Sequence, residues 1–123
     1  MGYKIVIVDD EPHITESIQA QLEAITDEYD IHCFNFAYAA LKEVFKGDVD
    51  LVISDIAMPD MDGYTLYSRI KNEKPNVPVI MMTGFGYDPN HVLVNCQKLG
   101  RLDVLLKPFP IEKLLMKIKM KLR

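Results

Sequence analysis

Five short apolar runs, at residues 4–8, 31–34, 51–54, 79–82 and 103–106, recur along this chain at intervals of about twenty to thirty residues. Runs that stay apolar at successive positions suit strands buried on both faces, which is the condition of a parallel sheet. Each run is followed by enough chain for one helix. Strict β-α alternation predicts a parallel sheet with right-handed crossovers and helices on both faces.

The predicted helices carry the matching signals. The first opens at Pro12, a residue suited to the first helical position, and sets Ile14, Ile18, Leu22 and Ile25 on one stripe, with Glu16, Gln19 and Glu23 opposite. The second is expected at 38–46, stopped by Gly47. The third spans 63–73, ending before Pro75. A fourth is expected at 90–99, the loosest element, because Val92, Val94 and Asn95 are modest helix formers. The last runs from 110 onward, with Ile111, Leu114, Leu115, Ile118 and Leu122 toward the sheet. Lys113, Lys117 and Lys121 lie opposite that stripe and read as a solvated face that also complements the helix dipole.

The ends of the runs carry chemistry. Asp9 and Asp10 follow the first, Asp55 the third, Thr83 the fourth and Lys107 the fifth. Parallel strands present their carboxyl ends along one edge of the sheet, so three carboxylates, a hydroxyl and an ammonium are expected in one crevice. Each close pair of like charges costs on the order of 4 kcal/mol at an effective dielectric near 20. Such a cluster calls for something cationic, and a hard divalent metal held by a few oxygens and waters fits best. Asp9 and Asp10 are adjacent, so their side chains are expected to point to opposite sides, one binding metal directly and the other through water. The Asp55 carboxylate, left at the mouth by the turn through residues 56–63, is a competent nucleophile toward phosphorus. Thr83 can then bond a phosphoryl oxygen, and Lys107 can neutralise its charge.

Length and composition narrow the field. With 123 residues and 49% hydrophobic composition, one domain spanning 1–123 is expected. A formal charge of −4 argues against direct nucleic-acid binding. Cys33 and Cys96 show no metal-binding spacing and suit reduced thiols in a cytoplasmic protein. No apolar stretch reaches membrane-spanning length, no signal peptide is legible, and Met1-Gly2 lacks the hydroxyl at position 6 that myristoylation favours. His13, His32 and His91 share no ligand spacing and read as surface or half-buried residues.

Together these motifs resemble the receiver domain of two-component response regulators. The resemblance runs from Lys4 to Leu122 and is carried by Asp9-Asp10-Glu11-Pro12, Asp55 with Met58-Pro59 and Asp62-Gly63, Met82-Thr83-Gly84, Leu99-Gly100 and Lys107-Pro108-Phe109. It implies a flavodoxin-like (βα)5 doubly wound fold, with a five-stranded parallel sheet in the order 2-1-3-4-5. It implies phosphorylation on Asp55 by a sensor histidine kinase or a histidine phosphotransfer protein. Mg2+ would be held by Asp10, Asp55 and the Ala57 carbonyl, with Asp9 acting through water. Thr83 would be the switch hydroxyl, and Lys107 would lead into Pro108, often by a cis peptide. The chain would not be an enzyme in the usual sense, its chemistry being self-phosphorylation from a phosphodonor and slow autodephosphorylation. An output partner or effector domain, and a phosphorylation-dependent dimer, belong to the same expectation.

The chain departs from that pattern at Val104, where a switch aromatic is usual three positions before the lysine; a β-branched valine has little to swing. Phe85 or Tyr87 is a candidate substitute, and Arg101 and Leu102 follow Gly100 where a small residue is common. Two rival readings use related chemistry. A haloacid dehalogenase-like phosphatase needs an acid/base Asp two residues after the nucleophile, where this chain has Ala57. A flavin or nucleotide binder of flavodoxin-like fold needs a phosphate-cradling loop after the first strand, where Asp9-Asp10-Glu11 repels phosphate.

Overall fold

The computed structural model describes residues 2–84 and 103–122. In chain order the elements are β1 (Tyr3–Val8), α1 (Pro12–Ile25), β2 (Tyr29–Phe34), α2 (Ala37–Phe45), β3 (Leu51–Asp55), α3 (Gly63–Glu73), β4 (Val79–Thr83), β5 (Asp103–Leu106) and α4 (Ile111–Lys121). The strands form one parallel sheet in the order β2-β1-β3-β4-β5, as expected of a doubly wound, flavodoxin-like fold. The chain runs outward from β1 to β2 and then returns to the other side of β1 for β3. The crevice outside the carboxyl ends of β1 and β3 is therefore the topological switch point, where such sheets bind ligands. The helix expected at 90–99 lies outside the described residues.

Period-2 alternation splits the apolar runs between two cores. Val6, Val8, Val52 and Met81 face one side, where they pack with Ala40, Leu41 and Val44 of α2 and Leu66 and Ile70 of α3. Ile5, Ile7, Ile53, Ile80 and Met82 face the other, against Ile18 and Leu22 of α1 and Leu114 and Ile118 of α4. Burial on both sides explains why these strands read as unbroken apolar runs. Each fully buried Ile or Leu contributes about 1.5–3 kcal/mol by leaving water. Truncating Ile53, which has no exposed surface, would add a cavity and cost about 2–5 kcal/mol.

The differences from expectation are local and have physical causes. Ile25, assigned to the α1 stripe, is 48% exposed. It is the last helical residue and lies past the sheet. β2 begins at Tyr29, two residues early, because the parallel register matches Tyr29 with Tyr3 and the Tyr3 amide bonds the Glu28 carbonyl at 2.9 Å. α2 begins and ends one residue earlier than expected; Gly47 then takes φ 98°, a conformation that costs glycine nothing. Lys117 and Lys121 are not a free solvated face: Asp103 at the start of the edge strand β5 pairs with them at 3.4 and 2.6 Å. No helix among the described residues is long and apolar enough to cross a membrane.

Candidate functional site

Four strand tips build the site. β1, β3, β4 and β5 are consecutive in the sheet, so the residues that end or follow them converge at its carboxyl edge. Asp9 is fully buried, Thr83 is 1% exposed and Asp55 is 6% exposed. Asp10 is exposed, at the rim. Lys107 reaches from the β5 end to place Nζ 2.9 Å from Asp9 Oδ2 and 3.4 Å from Asp55 Oδ1. Its own amide donates to the Thr83 carbonyl at 2.6 Å, and its peptide bond to Pro108 is cis. Asp9 Oδ1 accepts the Glu11 amide at 3.0 Å, and Asp55 Oδ1 accepts the Ile56 amide at 3.0 Å.

Two expectations about this crevice change. Asp55 does not lie open at the mouth; it is buried, because the loop after β3 folds back through the Gly63 amide, bonded to the Ile56 carbonyl at 2.7 Å. That closure depends on glycine: a Cβ at Gly63 would fall 2.5 Å from Met81 Cε and 2.7 Å from the Asp55 carbonyl. α3 then starts on Asp62, whose carboxylate accepts the Thr65 amide at 2.8 Å. Nor do Asp9 and Asp10 diverge. β1 ends at Val8, strand alternation stops there, and one oxygen from each of Asp9, Asp10 and Asp55 lies within 4.8 Å of the others.

Electrostatics follow from this geometry. Burial, then the neighbouring Asp9 charge, push Asp55 up from the ordinary 3.8 to about 6, against the opposing pull of Lys107. Asp10 is also raised, chiefly by partial burial and then by Asp9. Burial alone would lower Lys107, but its hydrogen bond to Asp9 and the Asp55 and Asp9 charges outweigh it, so the ammonium is held above its usual range. Three carboxylates around one ammonium leave an anionic surplus. The donor set is all oxygen, close-spaced and partly desolvated, which fits a hard divalent cation and not a soft one. Ala57, an exposed residue two positions after Asp55, could add its carbonyl.

The buried Thr83 Oγ1 makes no hydrogen bond among the described residues. A buried hydroxyl without a bond costs about 1–3 kcal/mol, so this one is poised for an acceptor that arrives from outside. Val104 is half-buried against the α2/α3 core. Phe85 and Tyr87, the candidate aromatic substitutes, lie outside the described residues, as do Cys96, His91, Arg101 and Leu102. Two residues that sequence reasoning passed over also touch the site. Asn35 donates to the Asp9 carbonyl at 2.9 Å, and Asp60 ties the loop after Asp55 to the start of α2. Asn35 was within reach, since it too follows a strand end. Asp60 gave no local signal.

The model of the response regulator receiver domain family matches residues 5–119. The regulatory protein VanR of Enterococcus faecium is 32% identical over 100% of this chain, which covers 51% of that protein. The DNA-binding transcriptional regulator NtrC of Proteus hauseri is 37% identical over 89% of this chain, which covers 22% of it. The chain thus spans about a fifth to a half of the length of these curated relatives. A CheY-like response regulator receiver domain protein from Methanospirillum hungatei, solved by crystallography, superposes with a TM-score of 0.88 at 30% identity, over 99% of this chain and 94% of that one. The chain belongs to the response regulator receiver domain family.

Proposed function

We propose that this receiver domain is the phosphoacceptor of a two-component relay, charged on Asp55 in the presence of Mg2+. The observation that carries the reading is the meeting of Asp9, Asp10 and Asp55 around the Lys107 ammonium beside an unbonded Thr83 hydroxyl. Asp10, Asp55 and the Ala57 carbonyl would hold the cation directly and Asp9 through water. When bound, it would neutralise charge on the transferring phosphoryl group. An Asp55 carboxylate oxygen attacks phosphorus; the bond from phosphorus to the donor imidazole nitrogen breaks, and its electron pair returns to the ring. Lys107 sits where it can pair with the new phosphoryl oxygens, and Thr83 gains the acceptor it lacks. The phosphoryl group carries about −1.5 to −2 of charge by analogy with other phosphorylated side chains, and since the Asp55 carboxylate charge is consumed, roughly one negative charge and three acceptor oxygens are added to the site, enough to bias a bistable loop.

The donor fitting this chemistry is a sensor histidine kinase or a histidine phosphotransfer protein, and the setting is cytoplasmic. Loss of phosphate proceeds by slow autodephosphorylation, so the chain is not a turnover enzyme. The output passes to an effector domain, a partner or a second copy. A haloacid dehalogenase-like phosphatase is less well supported, because Ala57 stands where its acid/base residue would be; a flavin or nucleotide binder would have to accept Asp9 and Asp10 beside a phosphate. Incubation with a small phosphodonor and Mg2+, followed by intact mass, tests the proposal. Wild type is expected to gain one phosphoryl group and Asp55→Asn none; a gain that persists in Asp55→Asn places the acceptor elsewhere.

A further inference from the structure

The segment joining β2 to α2 has no part in the reading above, yet it grips both loops that carry the acids. Asn35 Nδ2 donates to the Asp9 carbonyl at 2.9 Å and lies 3.5 Å from Thr15 Oγ1. The Asp9 amide donates to the Phe34 carbonyl at 3.1 Å, so the chain around Asp9 is held to the β2 end by two bonds. Directly afterwards α2 begins with no cap of its own: Phe36 offers no acceptor and the first turn holds no acid. The cap comes from the loop after β3. Asp60 Oδ1 accepts the Ala37 amide at 3.1 Å and Oδ2 accepts the Tyr38 amide at 3.0 Å, one carboxylate satisfying two orphan donors at the positive end of the helix. Arg69 of α3 lies 5.9 Å from the Tyr38 ring centre and steadies the same junction.

Residues 35–38 are thus a strut between two loops. One end holds the turn bearing Asp9 and Asp10; the other holds the turn bearing Asp55, Ala57 and Asp60. Besides the Asp60 bonds, the second turn is held by the Ile56 amide to the Met82 carbonyl at 2.9 Å, by the Gly63 amide to the Ile56 carbonyl and by the buried Met61, none of which reaches across to the turn bearing Asp9 and Asp10. A small divalent cation tolerates little error in ligand spacing, so the distance between these turns matters more to its binding than to folding. We propose that Asn35 and Asp60 are positioning residues that set the spacing of the two acid-bearing turns and thereby the fit of the cluster to Mg2+. This rests on the Mg2+ reading of the site.

A purely scaffolding role for the strut would lower stability and leave cation affinity alone. The test is calorimetric titration of the full chain with Mg2+ in high KCl, where the long-range pull of the Asp60 charge is screened, beside urea unfolding of each variant. Asn35→Ala and Asp60→Ala are each expected to weaken Mg2+ by about three- to tenfold. Asp60→Asn keeps one of the two acceptor oxygens and is expected to weaken Mg2+ less than Asp60→Ala does. The double variant is expected to lose little more than the weaker single one, since either break frees the spacing. Should Asn35→Ala fail to fold, Asn35→Ser carries the same expectation. Wild-type affinity in folded Asn35→Ala and Asp60→Ala overturns the inference, and Asp60→Asn as weak as Asp60→Ala overturns it for Asp60. Wild type that takes up no Mg2+ overturns the site reading and this inference together, whereas failure of the variants alone leaves the site reading standing.

Discussion

A lysine sits between two carboxylates at each end of this sheet, and the two clusters behave in opposite ways. At the amino end Lys4 Nζ lies 2.6 Å from Glu43 and 3.1 Å from Asp48. At the carboxyl end Lys107 Nζ lies 2.9 Å from Asp9 and 3.4 Å from Asp55. The Asp48 side chain is 77% exposed, so water shares its charge, and the hydrogen bond from Lys4 holds Glu43 below its ordinary range. Asp9 and Asp55 are buried, Asp10 adds a third acid, and Asp55 is driven up to about 6. One ammonium suffices for Glu43 and a water-solvated Asp48; it cannot satisfy three acids of which two, Asp9 and Asp55, are buried. Similar residues therefore make a fastening at one end and an unfilled electrostatic demand at the other.

The most severe test removes Lys107. Lys107→Met is expected to cost about 3 kcal/mol in urea unfolding, because the buried carboxylates lose the ammonium that pairs with both, while Mg2+ affinity rises; a neutral effect on stability would erase the contrast between the ends. Next, deleting one acid should have opposite signs. The raised Asp55 pKa means the folded chain holds that proton more tightly than the unfolded chain. This charge therefore destabilises the fold fully above pH about 6, and the penalty fades as pH falls from about 6 toward 4. In the absence of divalent cations Asp55→Asn is expected to gain about 2–3 kcal/mol at pH 7 and little at pH 4. Glu43→Gln is expected to lose stability at pH 7, read from the same unfolding curves.

Mg2+ supplies a finer probe. At a hundred times its dissociation constant it is expected to add about 2.7 kcal/mol to wild type and to Glu43→Gln but much less to Asp10→Asn. Its affinity should fall by up to about tenfold per pH unit below about 6, as the cation competes with the Asp55 proton in calorimetric titrations. The smallest effect belongs to the exposed end. Lys4→Met is expected to lower the melting temperature slightly, with a deficit that shrinks at high salt, and to leave phosphoryl uptake unchanged.

Much of this was legible along the chain. Runs apolar on both faces could only be buried parallel strands, and Asp9, Asp10, Asp55, Thr83 and Lys107 each stood at the end of one. The lysines of α4 were harder to read. Helical spacing put Lys117 and Lys121 on one face, but their pairing with Asp103 needs β5 packed beneath that helix. Asp60 was harder still, since it caps a helix that precedes it in the chain.

Period and punctuation along the chain determined the element order, the two-sided core and the edge at which the reactive groups would gather, because burial repeats every two residues in a strand and every three to four in a helix. Only the tertiary structure decided that Asp55 is covered, that Asp9 and Asp10 converge, that the Thr83 hydroxyl is unbonded and that residues 35–38 brace both acid-bearing turns. Asp9, Asp10 and residues 35–38 lie beyond a strand's last ladder position, where alternation no longer applies, and the surroundings of Asp55 and Thr83, which still sit in the ladder, are set by contacts between distant segments.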